Sequence, residues 1–557
     1  MLVYGAVETL HDAAMLQRQV LLALDALPVA PGLERHAALV AAFLDAGDLV
    51  NGLLDREAGA EGQSLMEALT ALAFCVVASW TSHFATTGDL LHARSLIGRL
   101  ACQGLIRSKP AQGYAFYALY PESYIEAALR SGLTRQTSVI GIRSIGTSLG
   151  AVVAAALEAA PPLTVRPSGP PFDRRIAHAG SASSATLLAG RPSCYVVVDE
   201  GPGLSGSSFG AVIDWLAQSG VPPEAIHLFP GHADGPGRMA DAHRLRQWQA
   251  AQCHLLDFDA LLRGHLAGWI ADRLGPLQAP LRDLSGGAWR RLTGLDAPAA
   301  PAWERRKYLA QTASGRWIAR FAGLGRIGEA KLALARDLHL AGFGAETLGL
   351  CHGFLLQRWV EAPNLLQSPL DRPALLSGLA GYLAFRQRLA MPDDAGADPA
   401  RLMHMAIHNA AEALGNAAAA ALDRRLATLA PAAAGPRVLI DARLHRWEWL
   451  VPADGLLKTD ALDHAMAHDF IGAQPIAWDL AGAVVEHDLD AEAAEALLDA
   501  FAAAGGAAPS AAMLDFYRLC YLAFQLGSWT LSQGADAPLA RRYAALLSAT
   551  IGSAAAP

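Results

Sequence analysis

The 557-residue chain predicts an α/β architecture in three parts: a helical N-terminal region, a parallel-sheet unit, and a two-lobed α+β unit. Three observations lead there. Residues 13–105 are rich in Ala and Leu at helical spacing and carry almost no strand signal. Two short β-branched runs, 138–142 and 195–198, are each followed by a Gly/Ser turn and an amphipathic segment, the strand-loop-helix order of a parallel sheet. Residues 307–321 then read as paired strands ahead of a long helical stretch. The expected boundaries are 1–115, 116–273, a linker at 274–303, and 304–557.

Composition excludes several classes. A hydrophobic fraction of 53% against 17% charged is far from that of a disordered chain. Lys+Arg 44 against Asp+Glu 52 leaves a net charge of -8, without the basic surplus that a nucleic-acid binder needs, although a local anion site remains open. Six scattered cysteines without a CxxC pair point to a reduced, cytoplasmic chain. The first ten residues lack the basic start of a signal peptide. The longest apolar run, 68–80, is flanked by Glu67 and His83 and falls short of the roughly 20 residues that span a bilayer, so it reads as a buried helix and no membrane partner is expected.

In the helical region Leu16, Val20, Leu21 and Leu24 fall on one stripe. The strand-like runs 138–142, 195–198 and 225–229 follow. Residues 275–301 have the Pro and Gly content of a linker. Beyond them come the paired strands around Ala313-Ser314-Gly315, a helix at 328–341, and mainly helix thereafter.

The most informative segment runs Tyr195-Val-Val-Val-Asp-Glu-Gly-Pro-Gly-Leu-Ser-Gly-Ser-Ser208, a strand ending in two carboxylates and then a loop of small residues that opens a helix. Such a loop turns successive N–H groups toward a phosphate, with the helix N-terminus adding a positive field. Adjacent carboxylates accept from vicinal ribose hydroxyls or hold Mg2+. The alternative is an ordinary strand-helix turn with Ser205 or Ser207 as cap.

This segment resembles the phosphoribosyl pyrophosphate signature of type I phosphoribosyltransferases. The resemblance implies catalytic roles for Asp199 and Glu200 beneath the ribose and a 5'-phosphate held by Ser205, Gly206, Ser207 and Ser208. The loop is one residue longer than the usual pattern. An earlier strand, 138–142, ends in Arg143-Ser-Ile-Gly-Thr147 and resembles the family's pyrophosphate loop, which implies substrate contacts from Arg143, Ser144, Gly146 and Thr147. Between the two lies the basic, Pro-rich stretch 164–175, where Arg166, Arg174 and Arg175 belong either to a closing loop or to an ordinary solvated one.

From residue 304 the order of features resembles the aminoglycoside-phosphotransferase branch of the kinase-like fold. Three segments carry this: Leu439-Ile-Asp-Ala-Arg-Leu-His-Arg-Trp-Glu448, Lys458-Thr-Asp460 and Trp478-Asp-Leu-Ala481. The family's catalytic loop reads His-Gly-Asp-Leu-His with an Asn three residues on. Matching places Arg443 at the catalytic Asp and Glu448 at the metal-binding Asn. A guanidinium cannot accept the proton of an attacking hydroxyl; Asp441 would serve only on an altered loop path. By the same resemblance Arg320 and Glu329 would contact a nucleotide, ATP, while Glu448 and Asp460 would hold Mg2+. His464 and His468 are one helical turn apart beside Asp463 and Asp469, without a third His or Cys ligand nearby, and read as satisfied polar side chains. Trp447, Trp449 and Trp478 read as core.

Two functions follow from these resemblances. One is a Mg-dependent phosphoribosyltransferase that uses phosphoribosyl pyrophosphate and a small acceptor, fused to a nucleotide-binding kinase-like unit. The other is a non-catalytic ligand-sensing protein built from the same two modules.

Overall fold

The computed structural model describes residues 1–3, 9–56, 61–108, 111–170, 172–176, 192–301, 304–392, 395–453, 455–465 and 471–552. After a short strand β1 (Thr9–Asp12), the N-terminal region folds as α1 (Ala13–Asp25), α2 (Leu33–Arg56), α3 (Glu61–Thr81) and α4 (Leu90–Gly98), and β2 (Leu105–Ser108) pairs antiparallel with β1. Asp12 starts α1 by accepting the Met15 N–H at 2.7 Å. Leu16, Val20 and Leu24 are buried as their spacing predicts, and Leu21 packs at the edge of the stripe. By length and composition alone, α2 and the 62–81 part of α3 could cross a membrane. Both are mostly buried within the protein, so they serve as core helices, longer than the apolar run suggested.

The middle unit follows α5 (Pro121–Arg130). Its strands β3 (Thr137–Ile142), β4 (Leu163–Val165), β5 (Cys194–Val198), β6 (Ile226–Phe229) and β7 (Gln252–Cys253) form an all-parallel sheet in the order β4-β3-β5-β6-β7. The side-chain period of two divides β5 between faces: Val196 and Val198 join the core shared with the N-terminal helices, whereas Tyr195 and Val197 pack with Phe209, Trp215 and Leu228 on the other side. Helices α6 (Ile145–Ala156) and α7 (Ser207–Gln218) follow β3 and β5, and α8 (Phe258–Leu274) closes the unit. A Cβ on Gly141 would lie 2.2 Å from the Gly146 oxygen, and one on Gly146 would lie 2.6 Å from the Val198 oxygen, so this pair lets α6 start directly against the strand ends. Strand order reverses between β3 and β5, and the crevice at their carboxyl ends is where open parallel sheets bind ligands.

The last part has a five-stranded antiparallel sheet, β11-β12-β10-β9-β8, built from β8 (Arg282–Asp283), β9 (Lys307–Thr312), β10 (Gly315–Phe321), β11 (Thr347–Cys351) and β12 (Phe354–Arg358). Strand β8 comes from the segment expected to be a linker. That segment is structured because its polar groups find partners: Glu304 accepts from Gly287 N–H and Trp289 Nε1, each at 3.0 Å. Helix α9 (Gly325–Leu340) crosses the sheet, and a helical lobe follows that includes α10 (Arg372–Gln387), the hairpin β13 (Trp449–Leu450) and β14 (Leu457–Lys458), α11 (Ala477–Glu486) and α12 (Ala511–Gln533). This two-lobed order is the one the kinase-like resemblance implies. One contiguous core takes in Leu16, Phe43, Val76, Val198, Trp269, Phe321 and Phe354, so the N-terminal helices, the parallel sheet and the antiparallel sheet share an interior.

Candidate functional site

The structure brings both singled-out loops of the parallel sheet to the switch point, one at the end of β3 and the other at the end of β5. Asp199 and Glu200 stand half-buried at the end of β5. Burial, with Glu200 alongside, pushes the Asp199 carboxyl well above its ordinary range, while Arg174 and Arg166 pull the other way. That side chain therefore gains from a cation or from hydroxyl donors. Glu200 is partly committed, since its Oε2 accepts the Gly113 N–H at 3.0 Å.

Several of the groups expected to contact phosphate have partners within the protein. Gly206 has φ +69° and gives its N–H to the Pro202 carbonyl at 2.9 Å, while the Ser205 hydroxyl donates to Ser207 Oγ at 3.0 Å. These contacts shape the turn into α7 and leave Ser208 half-exposed at its start. On the β3 side the partner is the C-terminal end of α2. Asn51 Oδ1 accepts from the Ser144 N–H at 3.0 Å and from the Thr147 hydroxyl at 3.1 Å, and Arg143 donates to the Leu54 carbonyl at 2.8 Å. Asp55, one residue further, pairs with Arg166 and lies 3.5 Å from Arg143. Ser144 has φ 114°, an unfavourable conformation for a side chain with Cβ, and the helix end holds it there. Gly146 serves close packing. Asn51 and Asp55 belong to a helix of the N-terminal region, about ninety residues upstream of the loop, and nothing in their own spacing marks them.

The second site is a cavity of about 490 Å³ between the antiparallel sheet and the helical lobe. Seven Lys and Arg side chains line it against five Asp and Glu. The loop after residue 439 is held from below: Asp479 on α11 accepts the backbone N–H groups of Asp441 at 2.7 Å and Ala442 at 2.9 Å, and Ala442 has φ 64°. Arg443, aligned by the resemblance with a catalytic Asp, lines the cavity. Asp441 is fully buried, bonded to Tyr382 and beside Arg386.

The groups expected to hold a metal are already paired. Lys458 Nζ lies 2.6 Å from Glu448 Oε2, 2.6 Å from the Asp460 carbonyl and 3.2 Å from Asp441 Oδ2. Burial disfavours its charge, but Asp441 and Glu448 outweigh that and raise its pKa. Asp460 pairs with Arg320. Burial alone would raise the Asp460 carboxyl, yet Arg320 and His464 hold it well below the usual carboxylate range. Asp441, Glu448 and His464 present donor atoms within 4.8 Å of one another, but the ammonium of Lys458 sits among them. Glu448 and Asp460 therefore do not fit Mg2+ in this arrangement.

The two residues expected to contact a nucleotide lie apart. Arg320 is bound to Asp460, whereas Glu329 is exposed on the side of α9 near Asp45 of α2. The charged side chain that α9 buries is Lys331, 2.8 Å from Asp463 Oδ2, which Arg305 also meets at 3.1 Å. Lys331 lies two residues after Glu329, so helix phase alone carries it to another face. His468 and Asp469 lie outside the described residues.

No family model and no curated protein matches the chain. Solved structures resemble it in part. A macrolide 2'-phosphotransferase type I is 15% identical over 51% of this chain and 96% of its own, with a TM-score of 0.34. The choline kinase LicA from Streptococcus pneumoniae is 15% identical over 53% of this chain and 99% of its own, with a TM-score of 0.36. An AMP-bound spectinomycin phosphotransferase, APH(9)-Ia, is 16% identical over 50% of this chain and 100% of its own, with a TM-score of 0.33. Likeness this distant says nothing of what the cavity does, which its own side chains decide.

Lys458→Met is expected to destabilise the protein by about 3–5 kcal/mol in urea titration, because it leaves the Glu448 carboxylate without its cation and takes one of the cations from buried Asp441. His464 gives a pH dependence. Burial opposes its charge, but Asp460, Glu448 and the bond to Asp441 raise its pKa to about 9. A folded-state value above the unfolded 6.5 contributes stability that is complete below pH 6.5 and lost as pH rises through 9. Thermal melts across that window should show a decline that His464→Gln flattens.

Proposed function

We propose that the parallel-sheet unit is a phosphoribosyltransferase and that the kinase-like unit binds a phosphate-rich nucleotide without transferring phosphate. The observation that carries the first part is the meeting of Asp199-Glu200 and the 205–208 loop with the 143–147 loop across the switch point between β3 and β5. Acidic groups suited to ribose hydroxyls thus face a helix N-terminus and an arginine suited to a diphosphate. In the reaction the bond from the anomeric carbon to the diphosphate oxygen breaks, its electrons leave with the diphosphate, and a lone pair of a small acceptor forms the new bond. Asp199 and Glu200 accept from the ribose hydroxyls and lie where positive charge grows on the ring. Arg143 and the N–H groups at the start of α6 stabilise the leaving group. The raised Asp199 carboxyl suits Mg2+, which would be held by Asp199 and Glu200 and would supply charge neutralisation for the diphosphate. For the loops to do this, Asp55 must yield Arg143 and Arg166 to the incoming phosphates.

The second part rests on Arg443 at the base position and on Lys458 and Arg320 against the carboxylates. The cavity's excess of cations suits phosphates directly, with fixed side chains in the role a metal has elsewhere.

Calorimetry with phosphoribosyl pyrophosphate and Mg2+ tests the first reading. Asp199→Asn should weaken binding by about 1.5–3 kcal/mol, the worth of a charge-assisted hydrogen bond, and Asp55→Asn should strengthen it. No binding to the wild type, or equal affinity in all three proteins, rejects the site. For the cavity, nucleotide affinity is expected to be the same with Mg2+ and with a chelator, and phosphate transfer to hydroxyl acceptors to be absent. Affinity that depends on Mg2+, or brisk transfer, would overturn this reading.

A further inference from the structure

Away from both sites, three side chains from distant parts of the chain converge in the interior. His36 on α2, Glu122 on α5 and His352 in the turn between β11 and β12 are buried at 0%, 0% and 4% exposure. Both imidazoles point Nε2 at the same carboxylate oxygen, Glu122 Oε1, each at 2.8 Å. The other oxygen, Glu122 Oε2, is buried and has no hydrogen-bond partner among the described residues. A bare carboxylate oxygen in an interior is costly, and such an orphan calls for an ion or water.

The surroundings hold the donors in place. Ser79 Oγ lies 2.9 Å from His36 Nδ1, the kind of outer contact that fixes a ligating imidazole. His352 sits at φ 42°, in the left-handed region, and the Tyr120 hydroxyl donates to its carbonyl at 2.6 Å. Phe84 packs on His36 at 4.8 Å, and Tyr120 and Trp269 pack on His352 at 5.1 and 5.2 Å between ring centres, an apolar shell that keeps bulk water away.

We propose that His36 Nε2, His352 Nε2 and the Glu122 carboxylate bind a transition-metal ion, zinc being the ion whose ligand preferences this set meets best. Two imidazoles and one carboxylate form a borderline donor set, and all three donor atoms lie within 4.8 Å of one another. Bonds of roughly 2.0–2.2 Å at tetrahedral angles put donor atoms about 3.4 Å apart, so each 2.8 Å pair opens by about 0.6 Å to admit the ion. Glu122 Oε2, otherwise orphaned, becomes a second ligand oxygen. Each neutral imidazole offers its lone pair at Nε2 once its proton sits on Nδ1, where His36 donates to Ser79; an imidazole that enters protonated releases that proton to water. The ion would staple segments 86 and 230 residues apart along the chain, and so clamp the antiparallel sheet to the N-terminal helices and the parallel unit.

The test uses the full-length protein purified from zinc-supplemented medium. Elemental analysis after dialysis should find close to one zinc per chain. Chelator stripping should lower the melting temperature by several degrees, and added Zn2+ should restore it. Co2+ loaded in place of zinc should give the visible absorption of a nitrogen- and oxygen-ligated ion. Glu122→Gln should lose the metal, whereas His464→Gln, in the cavity cluster, should keep it. If Glu122→Gln fails to fold, metal content and the Co2+ spectrum of the wild type still decide. A metal-free wild type whose melting ignores Zn2+, Co2+ and chelator overturns the proposal, and so does metal that survives Glu122→Gln but vanishes in His464→Gln.

Discussion

The buried ammonium of Lys458 organises the C-terminal half. Lys458 stands among the Glu448 and Asp441 carboxylates and the Asp460 carbonyl, and so ties three segments of a closed interior to one charge. Breaking such a pair costs about 3–5 kcal/mol, so the hairpin β13–β14 and the loop beneath the cavity hold their places together or not at all. Asp479 completes the arrangement from below by taking two backbone N–H groups of that loop. The chemical consequence is direct. Carboxylates neutralised by fixed cations have little left to offer a metal ion.

The switch point of the parallel sheet follows the same logic with the signs reversed. There the groups that invite an anion, Arg143 and the N–H groups before α6, are met by the end of α2, whose Asn51, Leu54 carbonyl and Asp55 supply acceptors. Helix α2 thus covers the loop while sharing the interior with the sheet, and its Asp55 meets both Arg143 and Arg166.

The shared interior explains why the expected linker is ordered. Residues 275–301 bridge two sheets that bury part of the same core, and a loose connection there would leave the edge of β9 unpaired; β8 pairs with it, and Glu304 satisfies the turn that follows. His36, Glu122 and His352 meet where the N-terminal helices, the parallel unit and the antiparallel sheet touch.

The sequence by itself determined the local features. The helical stripe of Leu16, Val20 and Leu24, the apolar run 195–198 ending in two carboxylates, the order of strands and helix after residue 307, and the replacement at Arg443 could all be read there, because each depends on neighbours within a few residues. Tertiary structure alone decided which of these groups remain available. That Glu448 faces Lys458, that Arg320 is held by Asp460, that Lys331 rather than Glu329 turns inward, and that Asn51 closes the 144–147 loop are matters of burial and pairing between segments far apart in the chain. A charge's partner is chosen by the fold that desolvates both. Spacing along one segment carries no trace of that choice.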